Sequence, residues 1–366
     1  IFLPGYQRVD DPEVLAKYEK SWGVPLSPIP GLNLNEMMKT AGDKIKAFFV
    51  MGEDIVLSEP NVLKLEKSLN NVEFIVLQDI FLNETARFAD VVFPASTFAE
   101  KDGVFTNSER RVQRVRKAVE PPGQAKADWE ILILLANQLG ANWSYDSPAD
   151  IYAEMAKDAP NFAGISYEKL EKTLNQPGKS GIQWPCPTPD HPGTTYLHET
   201  GILRGKGLFT PVEYMPPMEL PDEDYGLYLS TGRTLYHYNA ATQTRRESGL
   251  ATKQSEAFVE IHPRDARKRN IHHGDMAEVT TRRGAVQVRA IVSRQVRPGC
   301  IWMPLHFAEA RANVLTNDAG DKITGTAEYK VCAAEVRLLK QMPKDKNLFP
   351  GNYYHETGPG FQQTTG

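Results

Sequence analysis

The chain predicts an α/β fold: a doubly wound sheet of Rossmann type followed by a C-terminal β-barrel. Three observations predict it. Between about residues 40 and 140, short apolar runs alternate with stretches of helical periodicity. Residues 176–222 then hold nine prolines, from Pro177 to Pro221, which interrupt any regular element and read as an extended connection. From Tyr225 onward, short β-runs recur with glycine turns between them, the pattern of a compact barrel. A length of 366 residues is long for one core and suits about two domains.

The elements follow in order. Ile45 to Met51 is an apolar run ended by Gly52-Glu53-Asp54, as in a buried strand with a tight strand-to-helix turn. Val62, Leu63, Leu65 and Leu69 recur at helical spacing within residues 61–69. Glu73 to Gln78 is the next strand, a short helix follows Asp79, and Ala89 to Phe93 is another strand, stopped by Pro94. The polar stretch Glu109 to Lys117 reads as a solvated surface. Trp129 to Leu139 is a helix stopped by Gly140, and Pro148 to Lys157 and Tyr167 to Leu174 are two more. The barrel strands are Leu227 to Ser230, Phe258 to Ile261, Met276 to Thr281, Ala285 to Ser293, Cys300 to Met303 and Val331 to Leu338. The expected domains are thus 1–195 (sheet core about 40–140), a connection at 196–222 and a barrel at 223–342. A polar tail at 343–366 reads as extended or disordered.

Composition excludes several classes. Hydrophobic content of 41% and charged content of 24% are those of an ordinary globular protein. A net charge of −4 gives no field directed at nucleic acid or an anionic membrane. No run of roughly 18 apolar residues occurs. Cys186, Cys300 and Cys332 are sparse, odd in number and without a C-x-x-C pair, which fits a reduced, cytoplasmic-type chain. They cannot hold an iron–sulfur cluster, which needs about four thiolates. The opening, Ile1 into Leu3-Pro4-Gly5-Tyr6, reads as an internal position of a longer polypeptide.

Three constellations concentrate chemistry. Gly52 and Asp54 follow a strand, with Ser58 one turn on, and Gln78-Asp79 ends the next strand at the same sheet edge. Acids there either favour a helix N-terminus or border a nucleotide at the carboxyl ends of the strands. Asp128, ahead of Trp129, is an N-cap candidate and equally a carboxylate able to accept the two donors of a guanine edge. Next, Thr231-Gly232-Arg233 leads into His237-Tyr238-Asn239. So many donors in seven residues suit phosphate or heterocycle recognition, or simply form a polar loop over a barrel mouth. The third set is His306, Asn313, Tyr329 and Lys330, on loops flanking the last strands. His272-His273 beside Gly274-Asp275 reads as a turn, and no catalytic triad, P-loop or zinc helix is present.

Taken together, Met51-Gly52-Glu53-Asp54, Gln78-Asp79-Ile80-Phe81, Ala89-Asp90-Val91-Val92-Phe93-Pro94, Thr231-Gly232-Arg233, His237-Tyr238 and Glu328-Tyr329-Lys330 resemble the C-terminal half of formate dehydrogenase large subunits, within the molybdopterin oxidoreductases. The resemblance runs from about Leu3 to Leu339; Gln183-Trp184-Pro185-Cys186 and Gly193-Thr194-Thr195-Tyr196-Leu197 point to the formate-type enzymes within it. It implies two molybdopterin guanine dinucleotides holding molybdenum or tungsten. Gly52, Asp54, Ser58, Gln78, Asp79 and Asp128 would contact the first dinucleotide. Arg233, His237, Tyr238, Asn239, His306, Asn313, Tyr329 and Lys330 would line the cofactor from the barrel side. Ile55 stands where a proline is usual, and Ala95 where some relatives have a serine.

The same resemblance places the iron–sulfur cysteines, the metal-ligating residue and the catalytic His and Arg in an N-terminal part of the same subunit. Formate or carbon dioxide would be the substrate, with electrons leaving through iron–sulfur or diaphorase-type subunits in the cytoplasm. Alternatives are another molybdenum enzyme, such as a nitrate reductase, or a non-catalytic electron-transfer scaffold like the large subunit of NADH dehydrogenase.

Overall fold

The structure is a computed structural model that describes residues 2–174, 180–199, 201–202, 205–321 and 324–343. It is a mixed α/β chain with small sheets and a closed six-stranded barrel. Apart from Pro343, the tail expected at 343–366 lies outside the described residues. Two compact units interleave in sequence. One comprises Ile1–Leu32, Gln78–Ile80 and Phe93–Glu213; the other comprises Asn33–Leu77, Phe81–Val92 and the chain from Tyr214 onward. The sequence had suggested consecutive blocks at 1–195 and 223–342.

In the first unit, the helix Pro12–Trp22 starts where Asp11 accepts from the Glu13 and Val14 N–H groups, with proline in the first turn. The stretch 109–117, read as a solvated surface, instead contains the strand Arg111–Val115. It pairs antiparallel with Gly103–Thr106 and with Ile182–Gln183, and it buries Val112 while Arg111 and Arg114 stay only partly buried. Val112 joins Tyr152, Ala156, Ile165, Leu170, Ile182 and Cys186 in a small core. The charged residues hid the strand because two apolar side chains in five residues, three positions apart, leave no alternation to detect.

In the second unit the barrel closes in the order Phe258–Ile261, Ala285–Val292, Met276–Thr280, Cys332–Lys340, Leu227–Gly232 and Cys300–Pro304. Its strands alternate as a half-buried sheet requires, with Leu227, Leu229 and Thr231 inside and Tyr228 outside. The same apolar core takes in Val62, Leu65 and Leu69 from the helix Val62–Asn70, together with Val50, Ile75 and Leu77. That shared burial explains why residues 33–77 belong with the barrel. Arg311 pairs with Glu66 at 2.7 Å, and the Asn61 N–H donates to the Thr316 carbonyl at 3.2 Å, reinforcing the join. The strands Ala47–Met51, Phe74–Asp79 and Val91–Pro94 form a three-stranded sheet in that order.

Gly232 ends a barrel strand where a Cβ would lie 2.6 Å from the Trp302 Nε1 atom. The indole occupies the space a side chain would need. Gly232→Ala should therefore destabilise the chain by about 1–3 kcal/mol, seen as a lower urea midpoint with an unchanged slope. An unchanged midpoint would mean that Trp302 moves aside freely.

Candidate functional site

The turn after Ala47–Met51 is built on Gly52, whose φ of 64° favours glycine, while a Cβ there would meet nothing within 4 Å. Gly52 is needed for its backbone, and its surroundings are open. Asp54 is buried at 7% exposure, and its carboxylate accepts from the Glu84 N–H (3.2 Å), the Thr85 N–H (3.2 Å) and the Thr85 hydroxyl (2.8 Å). It thus tethers the short 3-10 helix Glu84–Phe88. Burial pushes its pKa up, against the hydrogen bonds that lower it. Ser58 is half-buried, and its carbonyl accepts from the Asn313 amide at 3.0 Å.

Asn313 also donates to the Leu57 carbonyl at 3.0 Å, so it ties the segment 312–314 to the helix Ile55–Ser58. Tyr329 donates to Glu59 at 3.4 Å, and Lys330 donates to the Thr231 carbonyl at 2.7 Å. Glu59 was not among the expected site residues. It is 6% exposed, and burial, with nearby Glu53, raises its carboxyl to about 7. Nothing in Ser58-Glu59-Pro60 signals this locally, because the burial comes from residues far off in sequence.

After Leu227–Gly232 the loop at 233–239 is held by two buried histidines. The Thr234 N–H donates to His306 Nε2 at 2.7 Å, so that nitrogen is unprotonated and His306 Nδ1–H donates to the Asn239 carbonyl. His237 Nε2–H donates to the Gln254 carbonyl at 2.8 Å, and its Nδ1 accepts from the Thr244 hydroxyl at 3.2 Å. Both imidazoles spend their nitrogens on the protein, as in the polar-loop reading. Burial lowers the His306 pKa to about 4. What the loop presents outward is Arg233, which donates to Asn239 Oδ1 at 3.1 Å and lies 5.9 Å from the Tyr238 ring centroid; Tyr238 is 78% exposed. Asn239 has a left-handed φ of 49°, and so does Ala241 at 60°.

In the other unit, Gln78 and Asp128 come together. The Gln78 amide donates to Asp128 Oδ1 at 2.8 Å, and Lys101 pairs with Asp128 Oδ2. Asp128 is the first residue of the helix Asp128–Gln138 and does not cap it. The helix start is closed by Glu130, which accepts from the Ala127 N–H at 2.9 Å. The Asp79 carbonyl accepts from the Ala95 N–H at 3.0 Å, and the Ser96 N–H donates to the Lys126 carbonyl at 2.9 Å. Three chain segments therefore lie side by side at this strand end. Neither Lys101 nor Ser96 was among the expected site residues.

A groove of about 610 Å³ in the same unit is lined by Phe93, Pro94, Ile131, Leu134 and Leu135, among others. It is mainly apolar, and none of the expected site residues lines it. Among the described residues no helix is long and apolar enough to cross a membrane.

Residues 24–138 match the family described as molybdopterin oxidoreductase, and residues 227–333 match the molydopterin dinucleotide binding domain. The chain belongs to the molybdopterin oxidoreductase family. Within it, the F420-dependent formate dehydrogenase subunit alpha of Methanocaldococcus jannaschii is 44% identical over 92% of this chain and 49% of its own length. The assimilatory nitrate reductase catalytic subunit of Bacillus subtilis is 37% identical over 91% of this chain and 48% of its own. Among solved structures, the acetylene hydratase of Pelobacter acetylenicus shares the fold, with a TM-score of 0.62 at 17% identity over 92% of this chain and 51% of that one. The chain spans about half the length of the curated relatives it matches.

Proposed function

We propose that this molybdopterin oxidoreductase chain is the dinucleotide-binding part of a formate dehydrogenase large subunit, holding a bis-molybdopterin guanine dinucleotide. The carrying observation is the 44% identity to a subunit named formate dehydrogenase, sustained over 92% of the chain. When bound, the cofactor supplies a molybdenum or tungsten centre for two-electron chemistry on formate or carbon dioxide. The metal-ligating residue, the iron–sulfur ligands and the catalytic His and Arg belong, in this reading, to further sequence of the same polypeptide. Electrons pass to iron–sulfur or diaphorase-type subunits, in the cytoplasm.

The donor set fits such a cofactor in two places. Near Asp128, buried acceptors without partners, Gln78 Oε1 and Ser96 Oγ, suit a base rich in N–H groups. At the barrel, Arg233 uses one N–H on Asn239 and keeps others for a phosphate or a pterin oxygen. Gly52 leaves the backbone open to close approach. The polar side-chain atoms of His237, His306, Asn313 and Asp54 are already bonded to the protein, so these residues hold the local backbone.

The test is composition together with activity. The native enzyme should release GMP on acid hydrolysis, contain molybdenum or tungsten, and reduce a dye with formate. Arg233→Ala should lower metal and GMP content roughly ten- to hundredfold, the loss of a charge-assisted bond, with the melting temperature nearly unchanged. A nitrate-reducing, formate-inert enzyme would favour the second reading, which the 37% identity to a nitrate reductase keeps open. Metal-free, nucleotide-free protein would point to a scaffold.

A further inference from the structure

We infer that Lys101 is a positioning residue: with Gln78 it clamps the Asp128 carboxylate so that the remaining lone pairs form an edge selective for guanine. This rests on the dinucleotide reading above and adds the selection step to it.

A carboxylate offers about four acceptor sites, two on each oxygen. Gln78 Nε2–H occupies one on Oδ1, and the Lys101 ammonium occupies one on Oδ2. One lone pair per oxygen stays unused by either partner, which is the arrangement that accepts two parallel N–H donors. The amide of Gln78 is oriented by the same contact, since the reverse orientation would set its oxygen against the carboxylate. Its Oε1 is therefore left as a third acceptor, fully buried and without a partner. Ser96, 2% exposed, adds an unpartnered hydroxyl on the adjoining segment. Buried acceptors in that state destabilise the fold unless a ligand donates to them. Guanine carries the N1–H and N2–H donors that such a set needs, whereas adenine presents an acceptor at N1 and hypoxanthine lacks the 2-amino group.

Lys101 is the element without an obvious substitute. Its ammonium holds Oδ2 and keeps a positive charge beside the acceptors, suited to an exocyclic oxygen such as O6. Without it the Asp128 side chain regains rotational freedom, and the two acceptors lose their fixed spacing.

The experiment uses the full chain, loaded or stripped of nucleotide, with GMP, IMP and AMP as probes in isothermal titration. The wild type should bind GMP at least about tenfold more tightly than IMP, because a site built for a donor rejects the analogue lacking it. Lys101→Met should lower that ratio to near one, with far-ultraviolet circular dichroism unchanged. Lys101→Arg, which keeps a charged donor, should restore most of the ratio, and Lys101→Gln should be intermediate. A mere surface ion pair would alter the melting temperature and leave the GMP-to-IMP ratio alone. If Lys101→Met keeps the wild-type ratio, the inference is overturned while the dinucleotide reading stands. If the wild type neither binds GMP nor releases it from the native enzyme, both are overturned.

Discussion

His306→Ala is expected to destabilise the second unit by roughly 3–5 kcal/mol. The imidazole is fully buried, packs edge-on to His237 and Phe307, and bonds two backbone groups of one loop. Alanine leaves a cavity, and the Thr234 N–H and the Asn239 carbonyl both lose their partner. Urea denaturation should show a lower midpoint, and His306→Asn, which can replace the Nδ1–H donor, should recover part of the loss. If both variants unfold like the wild type, the loop is not held by His306.

The pH dependence follows from the same burial. His306 titrates near 4 in the folded chain and near 6.5 when exposed. Below about 6.5 the unfolded chain takes up a proton that the folded chain refuses until about 4. Its contribution is therefore complete above 6.5 and falls as pH drops, by up to about 3 kcal/mol at 1.36 kcal/mol per unit. Glu59 acts in the opposite sense. Its carboxyl is raised to about 7 from 4.5, so the folded chain gains stability as pH falls through that interval. The two nearly offset one another between about 6.5 and 4.5 in the wild type. In His306→Ala the Glu59 gain stands alone, so the gap between wild type and variant should narrow on acidification. Urea curves at several pH values between 7 and 4 check this; a constant gap would remove His306 as the source.

Much of this architecture is visible in local sequence, because burial on one face of a strand leaves an alternation that survives in Leu227, Leu229 and Thr231. The strand Phe258–Ile261 falls where its apolar residues place it, and the helix Val62–Asn70 lies within one residue of its periodic run. Other features depend on distant partners and leave no local trace. Nothing near Val62 says that it packs beside barrel residues more than two hundred positions away. Lys101 and Asp128 are 27 residues apart, and only folding reveals that they share a charge pair. For the histidines, the sequence supplied the concentration of polar groups at 231–239 but not the direction in which they bond. His237 and His306 bond inward, and Arg233 and Tyr238 stay outward.

Asp54 separates a ligand contact from a structural one most sharply. The family resemblance places it against the cofactor, and its oxygens already accept three hydrogen bonds from Glu84 and Thr85. Thr85 is itself fully buried, and its hydroxyl accepts from the Val56 N–H at 3.3 Å, so the chain of bonds runs from Asp54 through Thr85 to Val56. Asp54→Ala leaves those donors in a water-poor site, and a loss of about 2–4 kcal/mol is expected. Asp54→Asn keeps one acceptor oxygen and avoids the desolvation of a charged carboxylate, which burial already opposes. It should therefore lose clearly less than alanine does. Amide hydrogen exchange resolves where the loss falls: Glu84, Thr85 and Val56 should exchange faster in Asp54→Ala even in chain stripped of cofactor. Should those amides stay protected while GMP content drops, the carboxylate belongs to the ligand, and the helix Glu84–Phe88 is held by its own packing.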